Sequence, residues 1–88
     1  MSALTDGLTA AGWRPTEDGK GIEKTYRFKT FREAMGWMVR AGFEAEALDH
    51  HPEWRNVYNR VEVVLTTHDT GGLSDKDIAL AERFETLA

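Results

Sequence analysis

Residues 54–67 read WRNVYNRVEVVLTT, and this stretch decides the fold. Two runs rich in β-branched and aromatic residues, 54–57 and 60–67, flank a turn that we expect near Tyr58-Asn59. A connection this short joins antiparallel strands, because a parallel pair needs a crossover of roughly a dozen residues or more. The stretch therefore predicts a β-hairpin.

A second hairpin is predicted upstream, from Trp13 to Phe28, with its turn at residues 18–21. In its second strand Ile22 and Tyr26 share one face with Phe28, while polar residues occupy the other face. Alternation with a period of two is typical of a strand that is buried on one side only. One face of the resulting sheet should therefore pack against other elements.

Three helices are predicted around the hairpins. Ser2 is the expected N-cap of a short first helix, which Gly12 ends. Thr30 and Glu33 form the pattern of a capping box at the start of a long helix, and Ser74 begins the last one. The apolar stripes of the second and third helices comprise Ala34, Met35, Met38, Ala41, Gly42, Ala45 and Leu48, and then Ile78, Ala81, Phe84 and Leu87 or Ala88.

The order of elements is α-β-β-α-β-β-α, with hairpins in place of crossovers. This order predicts an α+β fold in which a four-stranded antiparallel sheet carries three helices on one face. A chain of 88 residues has room for one core, so we expect a single domain over residues 1–88. The edges and the uncovered face of the sheet are natural places for self-association.

Composition excludes several classes of function. The chain has no cysteine, which excludes disulfides and a cysteine nucleophile. Lys and Arg number 11 against 15 Asp and Glu, a net charge of −4, which disfavours a nucleic-acid partner. No apolar run is long enough to suggest a membrane segment, and no secretory signal is visible, so we expect a cytoplasmic protein.

The chemistry-bearing residues gather at the ends of two predicted elements. His50 and His51 lie where the long helix ends before Pro52, and His68 follows the last strand. Histidine gives and takes protons near neutral pH, and Glu46 and Asp49 precede the pair closely enough to support the imidazoles. Three histidines at such joints favour proton-transfer chemistry, although each taken alone is typical of a helix end or a surface.

Other interpretations stay open at this point. Three histidines could hold a catalytic zinc ion, but adjacent histidines do not share a helix face, which argues against a metal. Nucleophilic catalysis lacks a Gly-x-Ser-x-Gly elbow. Trp54 and Tyr58 could stack on a planar heterocycle, or they could simply pack across strands.

The same residues carry a resemblance to a known family. The runs EALDHHPEW (46–54), NVYN (56–59), LTTH (65–68) and GLS (72–74), followed by Asp77, are similar to pterin-4a-carbinolamine dehydratase. The similarity extends from about Phe31 to Phe84 in unbroken register. Its most specific part is the His-His-Pro-x-Trp block with a distant Thr-His.

The resemblance implies a lyase that dehydrates 4a-hydroxytetrahydrobiopterin to quinonoid dihydropterin by histidine acid/base catalysis, without a metal or an organic cofactor. It implies catalytic roles for His50, His51 and His68. The implied substrate contacts are His50, His51, Pro52, Thr67, His68, Asp69 and Thr70, and the implied supporting residues are Glu46, Asp49 and Trp54. His50 and His68 are the expected acid/base pair, with the direction of each transfer left open.

The resemblance also implies partners. A dehydratase of this family recycles the pterin of aromatic amino-acid hydroxylases, and we expect a homodimer or homotetramer. Animal members also act as dimerisation partners of a homeodomain transcription factor. A non-catalytic interaction protein is therefore the alternative function.

Overall fold

The computed structural model describes residues 3–88 and contains one antiparallel sheet with the strand order β1-β2-β4-β3. The predicted order of elements and the α+β class are confirmed. The strands are β1 (Arg14–Pro15), β2 (Gly21–Arg27), β3 (Glu53–Val57) and β4 (Arg60–Thr66). The helices are α1 (Asp6–Ala10), α2 (Phe31–Ala47) and α3 (Asp75–Leu87), with a 3₁₀ turn at His68–Thr70 before α3.

Helix α1 begins at Asp6, and its N-cap is Thr5, whose hydroxyl accepts a hydrogen bond from the Leu8 amide at 3.2 Å. The predicted cap, Ser2, lies outside the described residues. The predicted end is confirmed, because Gly12 follows the helix with φ at 109°, a conformation that glycine adopts without strain.

Helix α2 begins as predicted, with the Thr30 hydroxyl accepting from the Glu33 amide at 3.1 Å. The capping box is only half formed, because the Glu33 carboxylate accepts from the Lys29 amide, one residue before the expected partner. The prediction for Met35 was wrong, since its side chain is 41% exposed, while Trp37 is fully buried. A helix turns by about 100° per residue, so the buried line follows Ala34, Trp37, Ala41 and Ala45.

The core lies between the helices and one face of the sheet. Val61, Val63 and Leu65 of β4 point into it, together with Ile22 and Tyr26 of β2. The intervening residues of both strands face away from the helices. Helices therefore cover one face of the sheet and leave the other face open.

A polar contact joins α3 to β2 and to the chain before β1. One carboxylate oxygen of Glu85 accepts from Trp13 Nε1 at 3.0 Å, from Lys24 Nζ at 2.6 Å, and from the hydroxyl of Tyr26. Burial is the largest cause of the raised pKa of Tyr26, and the hydrogen bond to Glu85 and the negative charge of Glu85 raise it further. The tyrosine therefore remains a hydrogen-bond donor.

Candidate functional site

The end of α2 directs His50 toward the start of α3. The helix stops at Ala47, the His50 amide donates back to the Ala45 carbonyl at 3.0 Å, and Asp49 takes a φ of 51°. Only 11% of the His50 side chain is exposed. Its Nε2 lies 2.5 Å from Oδ1 of Asp77, so this contact connects the end of α2 to the first turn of α3.

Asp77 is fully buried and engaged on both oxygens. Its Oδ2 accepts from the Thr67 hydroxyl at 2.8 Å and from the Ser74 amide at 2.9 Å. The hydroxyls of Thr67 and Ser74 are also 2.6 Å apart. One carboxylate therefore holds the end of α2, the residue after β4 and the first turn of α3.

His51 points to a different partner. Its Nε2 lies 2.9 Å from Oε1 of Glu46, and the side chains are 60% and 79% exposed. Asp49, the other predicted supporting residue, is exposed beside them. Adjacent histidines thus face different carboxylates, as expected from the opposite directions of neighbouring side chains.

His68 begins the 3₁₀ turn and is the most exposed histidine, with 87% of its side chain accessible. Its Nε2 lies 3.6 Å from Oε2 of Glu53. Glu53 pairs with Val64 across β3 and β4, so both residues belong to the open face of the sheet. His68 therefore stands at the rim of that face.

A cavity of about 600 Å³ opens at this rim. Thr67 and His68 line it, together with Glu53 and the turn after β1. The remaining predicted contacts, namely His50, His51, Pro52, Asp69 and Thr70, are not among the lining residues. Thr67 connects the cavity to the His50–Asp77 contact, because Thr67 lines the cavity and its hydroxyl donates to Asp77.

Asp69 and Thr70 are exposed in the 3₁₀ turn. The Thr70 hydroxyl donates to the Thr67 carbonyl at 3.1 Å and to the Gly72 carbonyl at 2.7 Å. These hydrogen bonds hold the segment that carries His68. In the structure, Thr70 therefore contacts the backbone of its own turn.

Trp54 packs into the core. Its ring lies 6.2 Å from the ring of Trp37 and 6.2 Å from that of Phe84, the latter in a stacked arrangement. Tyr58 is 64% exposed in the β3–β4 turn, with φ at 52°. The structure places the two rings in different environments, and the contacts of Trp54 are those of a packing residue.

The three imidazoles pair with three different carboxylates: His50 with Asp77, His51 with Glu46 and His68 with Glu53. Within residues 3–88, no group of three or more His, Asp or Glu side chains is arranged to hold a metal ion. None of the described helices is long and apolar enough to cross a membrane.

Sequence reasoning gave Asp77 no place in the site, although a signal existed. Asp77 stands at a helical spacing from Ala81 and Phe84, which puts an acid on a buried stripe. A buried acid needs partners, and polar atoms of Thr67, Ser74 and His50 supply them. The turn after β1 carried no comparable signal, because only the pairing of β2 with β4 brings it close to His68 in space.

Comparison with known proteins identifies relatives along nearly the whole chain. The family model described as pterin 4 alpha carbinolamine dehydratase matches residues 2–87. A protein of Opitutus terrae, provisionally named a pterin-4-alpha-carbinolamine dehydratase, is 62% identical over 78 residues, covering 88% of this chain and 78% of its own. A Jannaschia protein with the same provisional name is 49% identical over 81 residues, covering 92% and 83%.

Two solved structures share the fold. The crystal structure of a transcriptional coactivator/pterin dehydratase from Brucella melitensis matches with a TM-score of 0.87 and 39% identity, over 99% of both chains. A pterin dehydratase-like protein identified as a RuBisCO assembly factor in the alpha-carboxysome matches with a TM-score of 0.75. At 18% identity, over 88% of this chain and 89% of the other, that second likeness concerns the fold alone.

Proposed function

The chain belongs to the pterin-4a-carbinolamine dehydratase family, a family of lyases, and on this premise we propose that it dehydrates 4a-hydroxytetrahydrobiopterin. The bond between C4a and its hydroxyl breaks, a proton delivered to that oxygen makes water, and N5 loses its proton. The product is quinonoid dihydropterin. Both transfers are proton transfers, so the proposed reaction needs no metal or organic cofactor.

The observation that carries this proposal is the buried contact of His50 with Asp77. The partners of Asp77 are the Thr67 hydroxyl, the Ser74 amide and the His50 ring, each of which can donate a hydrogen bond. An ionised carboxylate, which only accepts hydrogen bonds, matches this set of donors. An accepting Asp77 keeps the His50 proton on Nε2 and leaves the lone pair on Nδ1. In our proposal His50 is the base, and the accessible His68 is the acid.

We assign the remaining residues by their position around this pair. In our proposal His51, oriented by Glu46, assists binding, and the substrate contacts Pro52 together with Thr67 and its following 3₁₀ turn. The natural substrate is proposed to be the pterin released by an aromatic amino-acid hydroxylase. A cytoplasmic location stays a prediction from the sequence.

Stopped-flow measurement of carbinolamine dehydration tests the assignment. His50→Ala and His68→Ala should each lower the rate by about 10²–10⁴-fold, the range typical of a general acid or base. Circular dichroism of both variants controls for folding. Unchanged rates in both variants would remove the two histidines from the mechanism.

We further propose that the protein forms a homodimer or homotetramer through α2. Four large apolar side chains are exposed at every fourth position of this helix: Phe31 (45%), Met35 (41%), Val39 (51%) and Phe43 (71%). Residues four apart lie on one face of a helix, so these four form an apolar stripe, which we call the α2 stripe. Solvated helices rarely carry such a continuous row.

Met35 and Phe43 of the α2 stripe are placed symmetrically about Val39, which favours a second copy of this chain as the occupant. Two antiparallel helices crossing at Val39 bring Met35 of one copy against Phe43 of the other, each four residues from the centre. A two-fold interface requires this kind of self-complementarity.

The alternative function is that of an interaction protein. The Brucella relative is described as a transcriptional coactivator as well as a dehydratase, and the α2 stripe is a surface on which a partner could dock. One assay distinguishes the dehydratase from the interaction protein: it follows the formation of quinonoid dihydropterin by absorbance. A protein that is folded but inert toward the carbinolamine would favour the interaction role.

A further inference from the structure

The cavity beside His68 has a second wall, formed by the turn between β1 and β2. Thr16, Glu17, Asp18 and Lys20 line this side, facing the wall that Thr67 and His68 form. The floor between the walls is the open face of the sheet. A ligand that contacts His68 in this cavity therefore also meets the turn, which neither the sequence motifs nor the proposed mechanism uses.

The turn is held in a defined position. Oδ1 of Asp18 accepts from the Thr16 hydroxyl at 2.6 Å and from the Lys20 amide at 2.9 Å. The Thr66 hydroxyl donates to the Lys20 carbonyl at 2.6 Å, which fastens the turn to the end of β4. Because Thr66 directly precedes Thr67 and His68, the two walls are attached to the same strand end.

Gly21 brings the turn close to β4. A Cβ atom at this position would lie 2.5 Å from the Leu65 carbonyl oxygen and 3.1 Å from Cβ of Thr66, so only glycine fits without displacing the backbone. The two strands therefore approach closely beneath the cavity. The walls are preorganised, which reduces the ordering cost of binding a ligand.

The cavity is acidic. Glu17, Asp18 and Glu53 line it against Lys20, and His68 adds a second positive charge when it is protonated, so the lining has three formal negative charges and at most two positive ones. Hydrogen bonds from the Thr16 hydroxyl and the Lys20 amide lower the pKa of Asp18, so this carboxylate stays charged across the neutral range. A cavity lined mainly by one sign of charge repels ligands of that sign.

We propose that the turn at residues 16–20 is the specificity wall of the site, accepting pterins with an uncharged hydroxylated substituent and rejecting those with an anionic one. The inference rests on the proposed function, since it takes the cavity beside Thr67 and His68 as the part of the pterin site that receives the ring substituent. Glu17 is its main determinant, because the carboxylate of Asp18 is already engaged in holding the turn.

Two ligands that differ by one phosphate group test the inference, and the substitution below separates the effect of its charge from that of its size. 7,8-Dihydroneopterin has a trihydroxypropyl substituent, and its 3′-phosphate adds about −1.5 to −2 charges at neutral pH. Binding is measured by calorimetry at low ionic strength, where exposed charges are least screened. The wild-type protein should bind the phosphate about tenfold more weakly, a difference of about 1.4 kcal/mol.

Glu17→Lys should reduce the preference to about threefold or less, because it removes the net negative charge of the lining. Glu82→Lys is the matched control: it makes the same charge change at an exposed position of α3 outside the lining, and it should leave the preference unchanged. Equal wild-type binding of both ligands, or equal effects of the two substitutions, would overturn the specificity wall while the proposed function stands. If the wild-type protein binds neither ligand and does not dehydrate the carbinolamine, both proposals fail.

Discussion

Asp77 performs two tasks with one buried carboxylate. One oxygen contacts His50 at the end of α2, and the other accepts from Thr67 and from the Ser74 amide at the start of α3. A buried carboxylate without such partners would be strongly destabilising. Its partners therefore explain both why it is tolerated and how it can fix the orientation of the imidazole.

Replacing this carboxylate with its isosteric amide should affect activity more than structure. Asp77→Asn keeps the shape but places an NH2 donor where only an acceptor fits, so the favoured tautomer of His50 is lost. We expect the dehydration rate to fall by roughly 10²–10⁴-fold. We expect the free energy of unfolding to fall by about 1–3 kcal/mol, since buried hydrogen bonds are left unsatisfied.

Stopped-flow kinetics and urea unfolding measure the two effects separately. Glu82→Gln is the control, because it removes one carboxylate charge from an exposed position of the same helix. If Asp77 positions His50, Asp77→Asn should also change the pH profile of the rate. If Asp77 only stabilises the fold, the pH profile should stay as in the wild type. An Asp77→Asn protein with the wild-type rate and profile would show that His50 does not depend on this contact.

At the residue scale the sequence predicted where the histidines lie along the elements better than it predicted which residues surround them. His50, His51 and His68 stand at element ends, and element ends can be found from caps, prolines and changes of period. The turn at residues 16–20 could not be assigned to the site, because its proximity to His68 depends on how β2 pairs with β4. That pairing joins residues about forty positions apart, which no local pattern encodes.

Among the elements, α3 has a polar attachment to the first hairpin at Glu85, in addition to its packing in the core. A single carboxylate oxygen of Glu85 accepts hydrogen bonds from Trp13, Lys24 and Tyr26. Burial by itself would raise the pKa of Glu85, but the hydrogen bonds from Lys24 and Tyr26 outweigh it and hold the pKa below the usual value of 4.5. The folded state therefore favours the ionised form.

A lowered pKa in the folded state means that this contribution is fully present above about pH 4.5 and is lost as the pH falls through the folded-state value. At pH 7, Glu85→Gln should cost about 1–3 kcal/mol, because a charged acceptor is lost. For a domain of this size that corresponds to roughly 4–8 °C in Tm per kcal/mol. Near pH 3 the difference in Tm between variant and wild type should shrink.

Thermal unfolding at the two pH values measures this difference. Glu82→Gln, exposed on the same helix, should change the stability by no more than about 0.5 kcal/mol. A gap between Glu85→Gln and wild type that stays constant or widens in acid would contradict the role of the ionised carboxylate.

The helices and strands themselves were predictable, because the hydrophobic periodicity and the helix-capping residues indicate the same elements along most of the chain. Thr30 and Ser74 are N-caps as expected, and the two hairpins have the predicted partners. The errors concern which residues of α2 are buried. Met35 is large and apolar, but whether it is buried depends on where the sheet contacts the helix, which composition does not specify.

For the whole molecule, the α2 stripe predicts self-association. Val39 lies at the centre of the proposed two-fold contact and is 51% exposed, so a charge there should be tolerated in the monomer but not in the interface. Light scattering after size exclusion should show a wild-type dimer or tetramer. Val39→Glu should convert it to smaller species while circular dichroism stays unchanged.

Val57→Glu is the matched control, since it places the same charge on an exposed valine of β3, away from α2. It should leave the wild-type mass unchanged. A monomeric wild-type protein, or dissociation by Val57→Glu alone, would show that α2 is not the contact between copies.

The cavity and the α2 stripe lie on opposite sides of the molecule, because the cavity opens on the uncovered face of the sheet while the stripe points away from the helix-covered face. Two copies joined through α2 would stand back to back, with both entrances directed outward. Assembly would then block no entrance, and each site would work independently of the number of copies. Saturation curves of the oligomer should accordingly be hyperbolic, with a Hill coefficient near one.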